Sequence, residues 1–235
     1  MSEWKAKRFW TEARVVEADH GYSVELDGRS VKTPAKRKLV VPTRAMAQAI
    51  AEEWEAQEGE IDPGQMPVTR SANAAIDKVA LQHAEVAQML ADYADSDLLC
   101  YRADSPAELV ERQAEAWDPL LDWAEREFGT RLIPVSGVMH QPQSPKALAR
   151  LSRQAQGMDD FTLTAFHDLV GLSGSFVIGL AAMHNLRDAK ALWQLSRVDE
   201  QWQEDLWGPD EEATAGVARK ENEFLHAKRF LNLAR

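Results

Sequence analysis

The stretch Lys38-Leu39-Val40-Val41-Pro42-Thr43-Arg44-Ala45-Met46-Ala47-Gln48-Ala49-Ile50-Ala51-Glu52-Glu53-Trp54 decides the fold. Leu39-Val40-Val41 is a short apolar run with two β-branched residues, of the kind that ends a strand. Pro42 cannot continue a ladder, and Thr43 is a good helix N-cap because its hydroxyl can accept from a free backbone N–H of the first turn. Beyond it Met46, Ile50 and Trp54 recur at i, i+4, i+8, the spacing of one helical face. The hydrophobic period therefore switches from strand to helix at Pro42-Thr43.

Upstream, Val15, Val16, Tyr22, Val24, Leu26 and Val31 mark short strands, and Val24-Glu25-Leu26-Asp27 alternates apolar and polar. His20-Gly21 and Asp27-Gly28 are hairpin dipeptides, since glycine supplies the positive φ such turns demand. These signals predict a small antiparallel β unit of about four strands, which needs helices over one face to be stable. Downstream, the periodicity predicts helices over about 45–57, 67–79, 82–94, 106–117, 119–128, 145–156, 160–183, 187–206 and 211–233, with a short strand near 131–135. Asp118-Pro119 reads as an N-cap followed by proline at the first helical position, hence as a break between two helices. The fold class expected is α+β. It consists of a β-rich N-terminal domain over residues 1–43, its boundary extending as far as about 75, and a mostly α-helical domain over 44–235.

Charge divides the chain at the same place. The 235 residues carry 27 Lys+Arg against 38 Asp+Glu, a formal net charge of −11, yet residues 1–44 hold 10 of the basic residues and only 6 of the acidic ones. Nucleic acid is not the expected partner. The cluster Lys36-Arg37-Lys38 has no interleaved aromatic residue, and the net charge has the wrong sign for a phosphate backbone. The longest uncharged run, around Leu169–Leu186, is too polar and too short to span a membrane. With no leader at Met1-Ser2-Glu3-Trp4-Lys5 and a single cysteine, the expectation is a cytoplasmic protein without disulfides.

Catalytic and ligand motifs are scarce. The six histidines show no His-x-x-x-His or Glu-x-x-His spacing, so no metal is expected, and no glycine-rich phosphate loop implies a nucleotide or other cofactor. Gly171-Leu172-Ser173-Gly174-Ser175 lacks the second glycine of a nucleophile elbow. Gly171, Ser175 and Gly179 read instead as a small-residue stripe for close helix packing. Cys100, flanked by Leu98, Leu99 and Tyr101, reads as a buried structural thiol.

The unusual segment is Asp199-Glu200-Gln201-Trp202-Gln203-Glu204-Asp205-Leu206-Trp207, with Glu211 beyond it. One helix from Arg187 to Leu206 puts Trp193, Glu200, Glu204 and Trp207 on a single stripe. Glu200 and Glu204 are like charges at i, i+4 and repel. Two readings stay open: cations from the basic N-terminal segment pair with them internally, or they form an acidic, tryptophan-edged surface for a basic partner. A hydrolase using Glu200 and Glu204 as a carboxylate pair is the alternative from a different class.

Several stretches, taken together and in order, resemble a known family. They are Arg8-Phe9-Trp10, Leu26–Pro34, Val41-Pro42-Thr43, Ala51–Gln57, Met66–Arg70 with Asn73, Asp97–Arg102, Trp117–Leu121, and Leu195-Ser196-Arg197 running to Trp207-Gly208. The chain resembles the assembly chaperones of F-type ATP synthase, the ATP-twelve family. The resemblance implies a protein without enzymatic activity that binds the free α subunit of the catalytic head; the chain itself is expected to be a monomer. It would mask the α subunit's β-facing surface until the α/β ring forms. It implies a bacterial, cytoplasmic member of a family that is mitochondrial in eukaryotes. The family's functional acidic segment falls on Asp199, Glu200 and Gln201. The expected partner-binding residues are Asp199, Glu200, Trp202, Glu204, Trp207 and Glu211.

Overall fold

The computed structural model describes residues 7–208 and 211–235, the side chains of 211–213 excepted. It is α+β, with strands gathered near the N-terminus and helices after Thr43. Strands β1 (Ala13–Ala18), β2 (Gly21–Leu26) and β3 (Arg29–Ser30) form an antiparallel sheet in the order β1-β2-β3. The register pairs Val15 with Val24 and Ala18 with Gly21. The expected fourth strand is reduced to isolated bridges, Lys32 with Lys38 and Tyr22 with Val41. Pro42 and the helix behind it leave too few residues for a longer ladder.

Helix α1 (Arg44–Glu55) begins where the period switches, and the Thr43 hydroxyl accepts from Met46 N–H. Met46 and Ile50 are fully buried on its inner face. Helix α2 (Pro67–Asp77) has no capping side chain of its own. Glu53 of α1 supplies the cap instead, its carboxylate accepting from Val68 N at 2.7 Å, Thr69 N at 2.8 Å and the Thr69 hydroxyl at 2.7 Å. A carboxylate at a helix N-terminus satisfies free N–H groups and meets the positive end of the dipole. Nearby, the Arg8 guanidinium donates to the carbonyls of Glu55 and Gln57, and Trp10 packs edge-on against Trp54 with centroids 5.2 Å apart. With segments Asp159–Ala165 and Arg229–Arg235, the chain up to Gln82 makes the first of two compact units.

The second unit comprises His83–Met158 and Phe166–Lys228. From His83 onward, through both units, the elements are α3 (His83–Tyr93), β4 (Tyr101–Arg102), α4 (Ala107–Phe128), β5 (Val135–Ser136), α5 (Pro145–Gln156), α6 (Asp160–Ser173), α7 (Phe176–Met183), α8 (Ala189–Leu195), α9 (Val198–Trp207) and α10 (Glu211–Leu233). The short strand expected near 131–135 is only β5, paired in parallel with β4.

Three expected helix boundaries differ. Pro119 does not split α4, which runs through it. A proline in a helix interior costs one hydrogen bond and strains the preceding turn. Trp117, Leu120 and Leu121, all fully buried on either side of Pro119, offset that cost by packing. The expected helix over 160–183 is two helices, because Gly174 takes φ +70° and Ser175 becomes the N-cap of α7. The expected helix over 187–206 is also two, α8 and α9.

The small-residue stripe is broken by the same turn, yet one member serves the expected purpose. A Cβ on Gly179 would lie 2.7 Å from Val170 Cγ2 and 2.8 Å from Phe166 Cε2, so α7 approaches α6 through a bare backbone. Gly171, by contrast, faces open space. Gly179→Ala is therefore expected to destabilise the protein by about 1–3 kcal/mol through overpacking, whereas Gly171→Ala should not. Urea unfolding of the two variants side by side checks the difference.

Candidate functional site

The acidic segment is built on α8 and α9. Asp188 caps α8 by accepting from Lys190 N and Ala191 N, and Leu192 and Trp193 bury its inner face. Trp193 lies against Phe224, centroids 5.7 Å apart. The Ser196 hydroxyl donates to the Trp193 carbonyl at 2.6 Å, and Arg197 leaves the helical region at φ −123°, ψ 23°. The chain then re-enters a helix as α9, with Asp199 and Glu200 in its first turn, and stops at Gly208 with φ +84°. Acids in the first turn complement the macrodipole, which eases their mutual repulsion.

Three side chains of α4 fasten this region. The Trp117 indole N–H donates to the Leu195 carbonyl at 2.7 Å. Gln113, almost fully buried, donates to Asp199 Oδ1 at 2.6 Å while its own carbonyl accepts from Ala103 N at 2.8 Å. Arg112 pairs with Asp205 at 2.6 Å and lies 6.0 Å from the centroid of the Trp202 ring. The Arg112–Asp205 pair is largely in water and is worth at most about 1 kcal/mol. Its role is to orient α9.

The acids of the segment therefore divide. Asp199 is half-buried and hydrogen-bonded to an amide. Glu204 pairs with Arg197 at 3.0 Å, and Arg197 in turn stacks 5.9 Å from the Trp193 centroid. The internal cations are thus Arg112 and Arg197, neighbours in the second unit, and not residues of the basic N-terminal segment. Glu200 is exposed and makes no ion pair among the described residues. Trp202 is half-buried, whereas Trp207 is 78% exposed and Leu206 is 55% exposed. Glu211 opens α10, and its side chain lies outside those described.

Trp202 lines a groove of about 300 Å³ with Tyr101, Arg102, Leu109, Gln113 and Val138, and Asp104 and Asp199 add their carboxylates. Val138 and Met139, on the loop after β5, are 88% and 77% exposed. Sequence reasoning passed over this loop. Its only signal is two large apolar residues with no periodicity between Gly137 and Pro142. Gln113 was equally invisible as a support for Asp199, since it sits 86 residues away.

No constellation for chemistry forms around these acids. Glu200 and Glu204 both stand on the open surface of α9, and neither lines the groove. A carboxylate pair for hydrolysis needs a concave setting in which the two groups have unlike environments. Cys100 is buried, and burial pushes its thiol up to about 12, which keeps it protonated. Among the described residues no group of three or more His, Cys, Asp or Glu side chains is placed to hold a metal, and no helix is long and apolar enough to cross a membrane.

Comparison with known proteins gives this geometry its context. The profile of the ATP12 chaperone protein family matches residues 7–125, just over half of the chain. The mitochondrial protein atp12 of Schizosaccharomyces pombe is 25% identical over 219 residues, covering 88% of this chain and 75% of that protein. The crystal structure of Atp12 from Paracoccus denitrificans is 48% identical, with a TM-score of 0.96 over 99% of this chain and all of that one. A solved chain from Agrobacterium tumefaciens is 38% identical, with a TM-score of 0.92 over 97% of this chain and 86% of that one. The protein belongs to the ATP12 chaperone family.

Proposed function

We propose that this ATP12-family chaperone acts in assembly of the catalytic head of F-type ATP synthase, binding the free α subunit and masking its β-facing surface until the α/β ring forms. The α subunit's surface is destined for an obligate interface, and such surfaces are apolar and aggregate when left bare. A protein that covers one needs an accessible, partly apolar face and no reaction chemistry. The observation that carries this reading is α9: it is fastened to α4 from behind, and it turns Glu200, Leu206 and Trp207 to solvent. We place the protein in the bacterial cytoplasm, where that head would assemble, and propose that it works without catalysis. The partner-binding residues proposed are Asp199, Glu200, Trp202, Glu204, Trp207 and Glu211, with Asp199 and Glu204 holding the helix and Glu200 and Trp207 meeting the client.

Glu200→Lys tests the reading. An exposed residue with no ion pair changes stability by no more than about 0.5 kcal/mol when substituted, so thermal unfolding should be unaltered. Suppression of α-subunit aggregation should fall, and its salt dependence should change, because reversing a rim charge acts mainly on encounter. A normal chaperone assay in the variant would remove Glu200 from the client surface.

A further inference from the structure

We propose that the groove lined by Trp202 takes an apolar client segment carrying a lysine or arginine, with Val138 in its wall and exposed Met139 beside it in the chain. This rests on the reading above of the protein as a client-binding chaperone, and it names the surface and the chemistry of binding. The loop is anchored at its base: Tyr101 pairs with Val135 and Arg102 with Ser136, and Gly137 N–H donates to the Arg102 carbonyl at 2.8 Å. Two large apolar side chains thus stand 88% and 77% exposed on a hydrogen-bonded support. Adjacent apolar groups held in water this way mark an interaction surface. Val138 shares the groove with Trp202 and Leu109, and Leu206 and Trp207 lie further along α9. Buried or half-buried tryptophan with a polar surround is the usual composition of an interface anchor.

The charge of the groove selects the occupant. Its one cation, Arg102, is already engaged, paired with Asp118 at 2.8 Å and stacked 5.2 Å from the Trp117 centroid. The lining carboxylates of Asp104 and Asp199 have no ion pair among the described residues, and exposed Glu200 follows Asp199 directly. An apolar segment with a basic residue is attracted to this setting, and an acidic one is repelled. A second copy of this chain, with a net charge of −11, fits it poorly.

The test uses the full chain and purified F-type α subunit. Val138→Ser with Met139→Ser should weaken α-subunit binding about tenfold or more, as expected for loss of a central apolar contact, with thermal unfolding unchanged because both side chains are exposed. Asp104→Lys should slow association and flatten its salt dependence. A photo-crosslinker at position 138 should capture a client segment that combines apolar residues with lysine or arginine. Unchanged affinity in the double serine variant, while the wild type binds, overturns the groove and leaves the client reading standing. A cross-link to an acidic segment or to a second copy of the chain overturns it as well. A wild-type protein that does not bind α subunit overturns the client reading, and this proposal with it.

Discussion

Asp97→Ala is expected to be among the most damaging single substitutions in the second unit, with a loss of about 2–6 kcal/mol. Asp97 is completely buried. Its Oδ1 accepts from Leu99 N at 3.0 Å, capping the turn at 98–100, and its Oδ2 accepts from Val177 N at 3.1 Å at the start of α7. Alanine leaves both backbone N–H groups buried and unpaired, at about 1–3 kcal/mol each. Urea denaturation at neutral pH measures the loss, and a variant within 0.5 kcal/mol (roughly the range of surface substitutions) would show that water replaces the carboxylate.

The same residue gives the protein a pH dependence with a definite sign. Burial is the largest influence on Asp97 and pushes its carboxyl from the ordinary 3.8 to about 6, while hydrogen bonds from Leu99, Val177, Ser175 and Phe176 oppose the rise. The folded state then holds this proton more tightly than the unfolded state. The contribution is fully present below pH 3.8, declines as pH rises through about 6, and is lost above that. A shift of this size corresponds to about 3 kcal/mol. Asp97→Asn has no proton to lose, so the stability of wild type relative to that variant should be greater at pH 4.5 than at pH 7. A flat or inverted difference in paired unfolding curves would show that the hydrogen bonds outweigh burial.

Trp117→Ala is expected to cost about 3–5 kcal/mol, the range for removing a fully buried large aromatic. Trp117→Phe isolates the hydrogen bond. It keeps much of the ring volume and leaves the Leu195 carbonyl without its 2.7 Å donor, for an expected loss of about 1–3 kcal/mol. The carbonyl lies at the end of α8, three residues before α9 begins, so the phenylalanine variant should also loosen the acidic helix. Amide hydrogen exchange in 198–207 should rise more than in α5, which is far from the bond along the chain. Equal exchange in both helices would mean that Trp117 contributes packing alone.

Much of the backbone is written in local signals. Thr43 caps α1 as its position before Met46 and Ile50 demands, Pro145 opens α5 and Gly157 closes it, and Asp27-Gly28 turns the second hairpin with both residues at positive φ. At the first hairpin the positive φ falls on His20, while Gly21 is already paired with Ala18 in β2. The aliphatic surround of Cys100 likewise foretells its burial. The carboxylate-rich segment was visible as a feature, and so was its tryptophan edge. How it is organised was not. A single periodic stripe from Trp193 to Trp207 could not show that Ser196 and Arg197 interrupt it, because the interruption depends on a hydroxyl bonding back to the Trp193 carbonyl.

Local pattern thus settled the α+β class, the switch at Pro42-Thr43 and most helix positions, since hydrogen-bonding period, capping and turn preference act over about four residues. Tertiary packing decided the rest. Pro119 stays inside α4 because buried neighbours on both sides outweigh its local cost. Asp205 finds Arg112 because α9 lies against α4, while Glu204 pairs with Arg197 at the start of its own helix, and neither cation comes from the basic N-terminal segment. Gln113 with Asp199, Trp117 with Leu195, and Asp97 with Val177 join residues 78 to 86 positions apart. Val138 reaches the groove only because β5 pairs with β4. Contacts at such separations reflect how whole elements bury their apolar faces together, and no period within one segment encodes them.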